Sequence, residues 1–187
     1  MENDSFRLDR YEMVRKFFAI GKKYNIKDEY GNDLFYASME MLKLRPKIHI
    51  YDNDRQTGEI LTITPNSILD YDATYEITDA RTQALIGSIK RDGLHSLFQN
   101  RWNIMDASGN VVGYATEPGL AAIVRRFILN WKLDFDIECQ GRRIGRLNKK
   151  MALRDRYVLD LSGDRERMLD RRLAIAMLPL LDAGEHR

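Results

Sequence analysis

Apolar side chains recur at every second position, in short bursts, along most of this chain. In YNIKDEYGNDLFYA the residues Tyr24, Ile26 and Asp28 share one parity. Tyr75, Ile77 and Asp79 do the same in YEITDARTQALIGSI, and Trp102, Ile104 and Asp106 in WNIMDASGNVVGYA. FDIECQGRRIGRL repeats the aromatic-x-Ile start at Phe135 and Ile137 without the Asp. A looser version, KIHIYDNDRQTGEILTI, places Ile48 and Ile50 ahead of Asp52. Period-two alternation over five or six positions predicts strands. Turn chemistry follows each burst, Asp28 with Gly31-Asn32 and Asp106 with Gly109-Asn110, and then a second apolar burst. The unit is therefore a β-hairpin. Its spacing along the chain is irregular, so it is not a solenoid repeat. The recurring Asp is expected to form turns by accepting hydrogen bonds from nearby backbone N–H groups, not to bind a ligand.

Both arms of every hairpin together give about ten to twelve short strands. No linker rich in Pro, Gly or Ser divides them, and Pro46 and Pro65 fall between strands. One domain, 1–187, is expected. So many antiparallel strands must close into a barrel or split into a sandwich to remove their edges.

Two segments depart from period two. In TEPGLAAIVRRFILNW the residues Leu120, Ile123, Val124, Phe127, Ile128 and Trp131 fall on one face of an amphipathic helix. Thr116 can cap it, and Pro118 suits its first turn. The second is RRLAIAMLPLL near the C-terminus, where Leu173–Leu181 are all apolar. Crossing a bilayer takes about 20 apolar residues, and nine helical residues reach only about 14 Å. A conventional span is not expected. A helix apolar on every side must still be surrounded. The simplest arrangement is a closed β-barrel with this helix through its middle. Ala174 and Ala176 allow close approach, and Pro179 should bend or end the helix.

Composition agrees with a soluble globular protein: 187 residues, 44% hydrophobic, 31% charged. The lone Cys139 excludes an internal disulfide and fits a reducing compartment. The polar start MENDSFRLDR is not a secretory signal. A cytoplasmic protein, peripheral at the membrane at most, is expected. Net charge is +2, but residues 1–93 carry 14 basic and 16 acidic side chains (net −2), and residues 94–187 carry 16 and 12 (net +4).

The hairpin repeats and the terminal apolar helix together resemble the tubby C-terminal-like superfamily, and within it the LURP-one-related group, which also resembles phospholipid scramblases. KKYNIKDEYGNDLFYA, WNIMDASGNVVGYATE and RYVLDLSGDRERMLDRRLAIAMLPLLDA carry the resemblance, spread from about Arg10 to Asp182. It implies a mainly β fold, a closed antiparallel barrel of about twelve strands around a buried C-terminal helix. For function it implies less: tubby domains bind phosphoinositides and scramblases are linked to lipid movement. Neither the Cys- and Pro-rich N-terminal extension of scramblases nor a separate effector domain is expected.

No catalytic constellation stands out. His49, His95 and His186 lack metal-ligand spacing. There is no GxSxG, P-loop or GxGxxG pattern. DNDRQTGE begins like a calcium loop, but Thr57 and Ile63 stand where such a loop needs Gly and Glu. Asp70 and Asp72 carry no mark of a glycosidase pair, and Cys139 is expected to be a small buried thiol. No enzyme, cofactor or metal is expected.

Two binding candidates remain. One is GRRIGRLNKK, with Arg142, Arg143, Arg146, Lys149 and Lys150, whose charges can hold phosphates. The other is the amphipathic helix, with Arg125 and Arg126 opposite its apolar row. The plainer alternatives are a solvated strand face and a helix packed across a barrel opening. Regular alternation forbids Arg142 and Arg143 from both pointing outward, so one should sit at a turn or pair with Asp136 or Glu138. The partner expected is an anionic phospholipid or membrane surface, or alternatively a protein. Nucleic acid is not expected from so modest and local a charge.

Overall fold

A computed structural model of the chain describes residues 4–16, 19–40, 43–66, 73–92, 100–118, 134–150 and 156–185. A short 3-10 turn, Asp4–Arg7, precedes twelve strands: β1 Arg10–Arg15, β2 Lys23–Lys27, β3 Asp33–Met39, β4 Ile48–Tyr51, β5 Glu59–Pro65, β6 Thr74–Asp79, β7 Leu85–Arg91, β8 Arg101–Asp106, β9 Val111–Thr116, β10 Asp134–Cys139, β11 Arg142–Lys150 and β12 Arg156–Asp160. Helix α1 follows, Arg171–Glu185. Each strand pairs antiparallel with its neighbour in sequence, and β12 pairs with β1, which closes the barrel. The barrel and the central helix expected from the pattern are both present. The amphipathic helix expected at Leu120–Trp131 lies outside the described residues, and with it Arg125 and Arg126.

The repeated motif has a common consequence in all five hairpins. A β-bulge follows Ile26, Ile50, Ile77, Ile104 and Ile137, immediately after the shared isoleucine in each case. The extra residue sharpens the local twist, which a small closed barrel requires at its rim. All five isoleucines are fully buried. Beyond three of the bulges an Asp side chain closes the turn. Asp28 Oδ1 accepts from the Tyr30 and Asn32 N–H groups at 2.9 and 2.8 Å. Asp106 Oδ1 accepts from Ser108 and Asn110 at 2.9 Å each, and Asp79 Oδ1 from Arg81 and Thr82 at 2.9 Å. These bonds favour the ionised carboxylates, so all three titrate below their ordinary value of 3.8. The Asn32 amide is the main cause for Asp28, the Thr82 N–H for Asp79 and the Asn110 amide for Asp106. The recurring Asp is a turn former, as the sequence predicts.

Inward side chains of the strands meet α1. Every residue from Leu173 to Ala183 is buried. Asp170 caps the helix by accepting from the Arg172 N–H at 2.8 Å. Gly87 faces the first turn, where an added methyl would press on the Leu173 side chain at 3.2 Å. Of the two outcomes expected at Pro179, a bend or an end, the helix does not end there but continues through it to Glu185. Pro179 has no N–H to return to the carbonyl of Ile175. The surrounding barrel wall holds the last turns in place regardless.

Candidate anion-binding surface

Strands β10 and β11 form the hairpin that carries the basic stretch. Gln140 and Gly141 occupy left-handed backbone, φ 50° and 72°, which gives a tight two-residue turn. The bulge at Ile137/Glu138 makes Ile144 an extra residue that turns inward and is 1% exposed. It therefore re-aims the basic side chains on either side of it.

The five residues do not form one cluster. Arg142 sits at the turn and reaches Glu166, Nη1 to Oε1 3.0 Å. Arg143 lies opposite Glu138 in register and pairs with Asp136, Nη2 to Oδ1 2.8 Å. Arg146 grips Asp134 with two nitrogens, Nε to Oδ1 at 2.6 Å and Nη2 to Oδ2, and lies 3.9 Å from Asp136. Lys149 shares the inward parity of Leu147, and its Nζ stands 5.3 Å from the ring centroid of buried Tyr157. Lys150 is exposed and outward, opposite Arg156 in register. One of the two arginines is expected to sit at a turn or to pair with Asp136 or Glu138; Arg142 flanks the turn and Arg143 pairs with Asp136.

Three of the five line one open groove on the outside of β11, β12 and β1. Arg143, Arg146 and Lys150 border a cavity of about 430 Å³ together with Arg10, Asn148 and Asp160. Burial alone would raise the Asp160 carboxyl. The Ser162 N–H, at 3.0 Å, and the Arg10 charge outweigh it, and the group lies below its ordinary range. Arg10 is the groove residue that motif reading missed. It stands 132 positions from Arg142 in sequence and reaches the groove only because β1 and β12 close the barrel.

Two other polar sites lie in the core, and both brace the helix. At its start, Arg171 donates to Asp164 Oδ2 at 2.6 Å and to Asp9 Oδ1 at 3.0 Å, and to the carbonyls of Leu8 and Leu169. At its far end, fully buried Asp182 accepts from the hydroxyls of Tyr24, at 2.5 Å, and Tyr157, and Lys22 Nζ lies 3.9 Å away.

Chemically reactive groups are held quiet. The Cys139 thiol is buried and pushed up to about 11 by desolvation, with Asp164 adding to the rise, so it is not a thiolate near neutral pH. His49 stands between two carboxylates, Nδ1 to Glu59 Oε1 at 2.7 Å and Nε2 to Glu40 Oε1 at 3.5 Å. Among the described residues no group of three His, Cys, Asp or Glu side chains is placed to hold a metal ion. Among them too, no helix is long and apolar enough to cross a membrane. The outward positions of the wall carry Glu12, Lys27, Asp134, Asp136 and Arg146, and the interior is apolar. A membrane-spanning barrel has the reverse polarity.

A closed twelve-stranded meander threaded by its own C-terminal helix is a tubby-like barrel. The chain belongs to the LURP-one-related family, whose model matches residues 10–182. No curated protein matches the chain in sequence. An X-ray structure of a protein from Arabidopsis thaliana resembles it at TM-score 0.59 and 12% identity, over 95% of this chain and 92% of that one. At that identity the likeness is one of fold.

Proposed function

We propose that this LURP-one-related barrel is a non-enzymatic binding module that takes anionic phospholipid headgroups at a membrane surface, with the groove between β11 and β1 as the headgroup site. The observation that carries this is the convergence of Arg10, Arg143, Arg146 and Lys150 on one open cavity of about 430 Å³. Guanidinium groups already fixed on a rigid strand present their N–H donors to phosphate oxygens with little ordering cost. Arg146 is the fixed post of the site, since Asp134 and Asp136 hold its fork in place. Arg10 and Lys150 are the cations with the most freedom to turn toward a ligand, as neither has an ion pair within 4.0 Å among the described residues.

The ion pairs on Arg142, Arg143 and Arg146 favour a second reading, a protein-interaction domain whose basic strand is neutralised within the molecule. Sedimentation with liposomes separates the two. The protein should pellet with vesicles containing phosphatidylserine and not with phosphatidylcholine alone, and high salt should release it. Replacing Arg10, Arg143 and Lys150 together by Ala should weaken binding about a hundredfold, from roughly 1 kcal/mol per surface cation. No pelleting with anionic vesicles at low salt would leave the protein-interaction reading in place.

A further inference from the structure

The hairpin motif sorts charge along the barrel axis. It places Asp28, Asp52, Asp79 and Asp106 after the shared isoleucines, so every turn that they begin lies at one end of the barrel. The connections between hairpins lie at the other end. On β2–β5 the turn end carries Asp28, Glu29, Asp33, Asp52 and Asp54 against Lys27 and Arg55. The opposite end, residues 16–23 and 40–47, carries Lys16, Lys22, Lys23, Lys43, Arg45 and Lys47 against Glu40. Tilted strands of four to seven residues hold the two ends about 10–18 Å apart along the barrel axis.

The two basic connections leave neighbouring strands: the Met39 N–H donates to the Lys22 carbonyl at 3.0 Å where β2 pairs with β3, and within the second connection the Lys47 N–H donates to Glu40 Oε2 at 3.1 Å. Each connection also lifts one large aliphatic side chain into solvent. Ile20 is 87% exposed and Leu44 82%, amid these cations. Tyr30, at 83%, is comparably exposed but stands among the acids of the other end. Exposed Lys150 and Arg156, opposite each other across β11 and β12, continue the basic rim toward the groove.

We propose that the barrel docks end-on to an anionic bilayer, with Ile20 and Leu44 entering the interfacial layer and the surrounding lysines and Arg45 against the headgroups. This rests on the headgroup function proposed above and names the surface that would carry it. Charge complementarity selects the occupant. An anionic plane attracts the basic end, and the acidic end sits more than one Debye length away, since that length is about 8 Å at physiological salt. Cations beside protruding aliphatic side chains are the chemistry of an interfacial anchor, in which electrostatic attraction and apolar burial add. End-on docking brings the Lys150 end of the groove to the membrane surface, while Arg10 and Arg143 stand toward its other end, away from the bilayer.

Sedimentation of the full chain with vesicles of phosphatidylcholine, with and without phosphatidylserine, tests this. One variant carries Lys43→Ala, Arg45→Ala and Lys47→Ala, and a second carries Ile20→Ser and Leu44→Ser. A third, Arg10→Ala with Arg143→Ala, probes the groove. The cation variant should bind anionic vesicles about a hundredfold more weakly, at about fivefold per charge, and its deficit should shrink in high salt. The aliphatic variant should lose tenfold or more, on the order of one buried side chain, at any salt. A Leu44→Trp protein should show blue-shifted emission on anionic vesicles only. If the wild type binds anionic vesicles and these loop variants bind equally well, end-on docking is overturned, whether or not the groove variant is weakened. If the wild type ignores anionic vesicles, the headgroup function itself fails, and docking with it.

Discussion

Replacing Asp182 by alanine should remove the latch that holds the far end of α1 inside the barrel. Its carboxylate is fully buried and accepts from the hydroxyls of Tyr24 and Tyr157, themselves 1% and 0% exposed. A hydrogen bond to a charged group contributes roughly 1.5–3 kcal/mol net, and an orphaned buried hydroxyl costs about 1–3 kcal/mol. The alanine variant loses both bonds and takes the carboxylate acceptor from both hydroxyls, but it also removes a carboxylate that was expensive to bury. The balance is a loss of about 3–5 kcal/mol, a large share of the roughly 5–15 kcal/mol that domains possess. Tyr157→Phe removes donor and bond together and should cost only about 1.5–2 kcal/mol. The two sites touch, so the double variant should cost less than the sum of the two singles, with a coupling of about 1 kcal/mol or more. Urea unfolding, followed by tryptophan fluorescence at neutral pH, measures this as a shift of midpoint at constant slope. An alanine variant within about 0.5 kcal/mol of wild type, or strict additivity with Tyr157→Phe, would refute the latch.

Ile175→Asp should abolish soluble folding, because the side chain is 0% exposed inside the barrel and a charge there meets no partner. Ile175→Val, which removes one methylene, should cost about 0.5–1.5 kcal/mol and leave a folded protein; a soluble, cooperatively unfolding Asp variant would contradict the plugged barrel. The turn carboxylates set an acid limb. Asp28, Asp79 and Asp106 titrate lower in the folded chain than their ordinary 3.8, so the stability they contribute is present above that value and is lost as pH falls through their folded values. The urea midpoint should therefore drop below about pH 4, and Asp106→Asn with Asp28→Asn should flatten that drop; an unchanged pH slope in the double variant would place the acid sensitivity elsewhere.

What was legible in the sequence follows from how local each determinant is. Period two, Asp-x-x-Gly-Asn turns and an all-apolar helix are short-range signals, and each survives into the barrel unchanged. Ile26 and Asp28 fix their own bulge and turn with partners no more than about ten residues away. The charge stretch was legible only as far as the alternation rule reached. That rule divides Arg142 from Arg143, but the bulge at Ile144 and the inward turn of Lys149 depend on pairing with β10 and β12. Arg10 and Asp182 were illegible for a different reason. Arg10 looks like an ordinary surface residue, and Asp182 looks like the polar exit from an apolar run. Barrel closure gives each its role, joining β1 to β12 and setting the helix end against Tyr24, 158 positions earlier. Pro179 allowed a bend or an end, and packing on every side lets the helix run on to Glu185.

The same repeat that makes the fold predictable also confines where variation can be used for recognition. The hairpin turns are occupied by structural Asp residues whose oxygens already accept two or three N–H groups, and they have little capacity left for a ligand. Among the described residues the interior is occupied by α1 and the apolar side chains packed against it. Under the function proposed above, recognition falls to the outer wall and to the connecting end, two regions that the motif does not fix. The wall offers Arg10 and Lys150 beside a braced Arg146, and the connecting end offers Ile20 and Leu44 among lysines. They meet at Lys150 and Arg156, where β11 gives way to β12. A ligand that engages both must be broad, negatively charged and apolar just beneath its surface, and a bilayer of anionic phospholipid has all three properties.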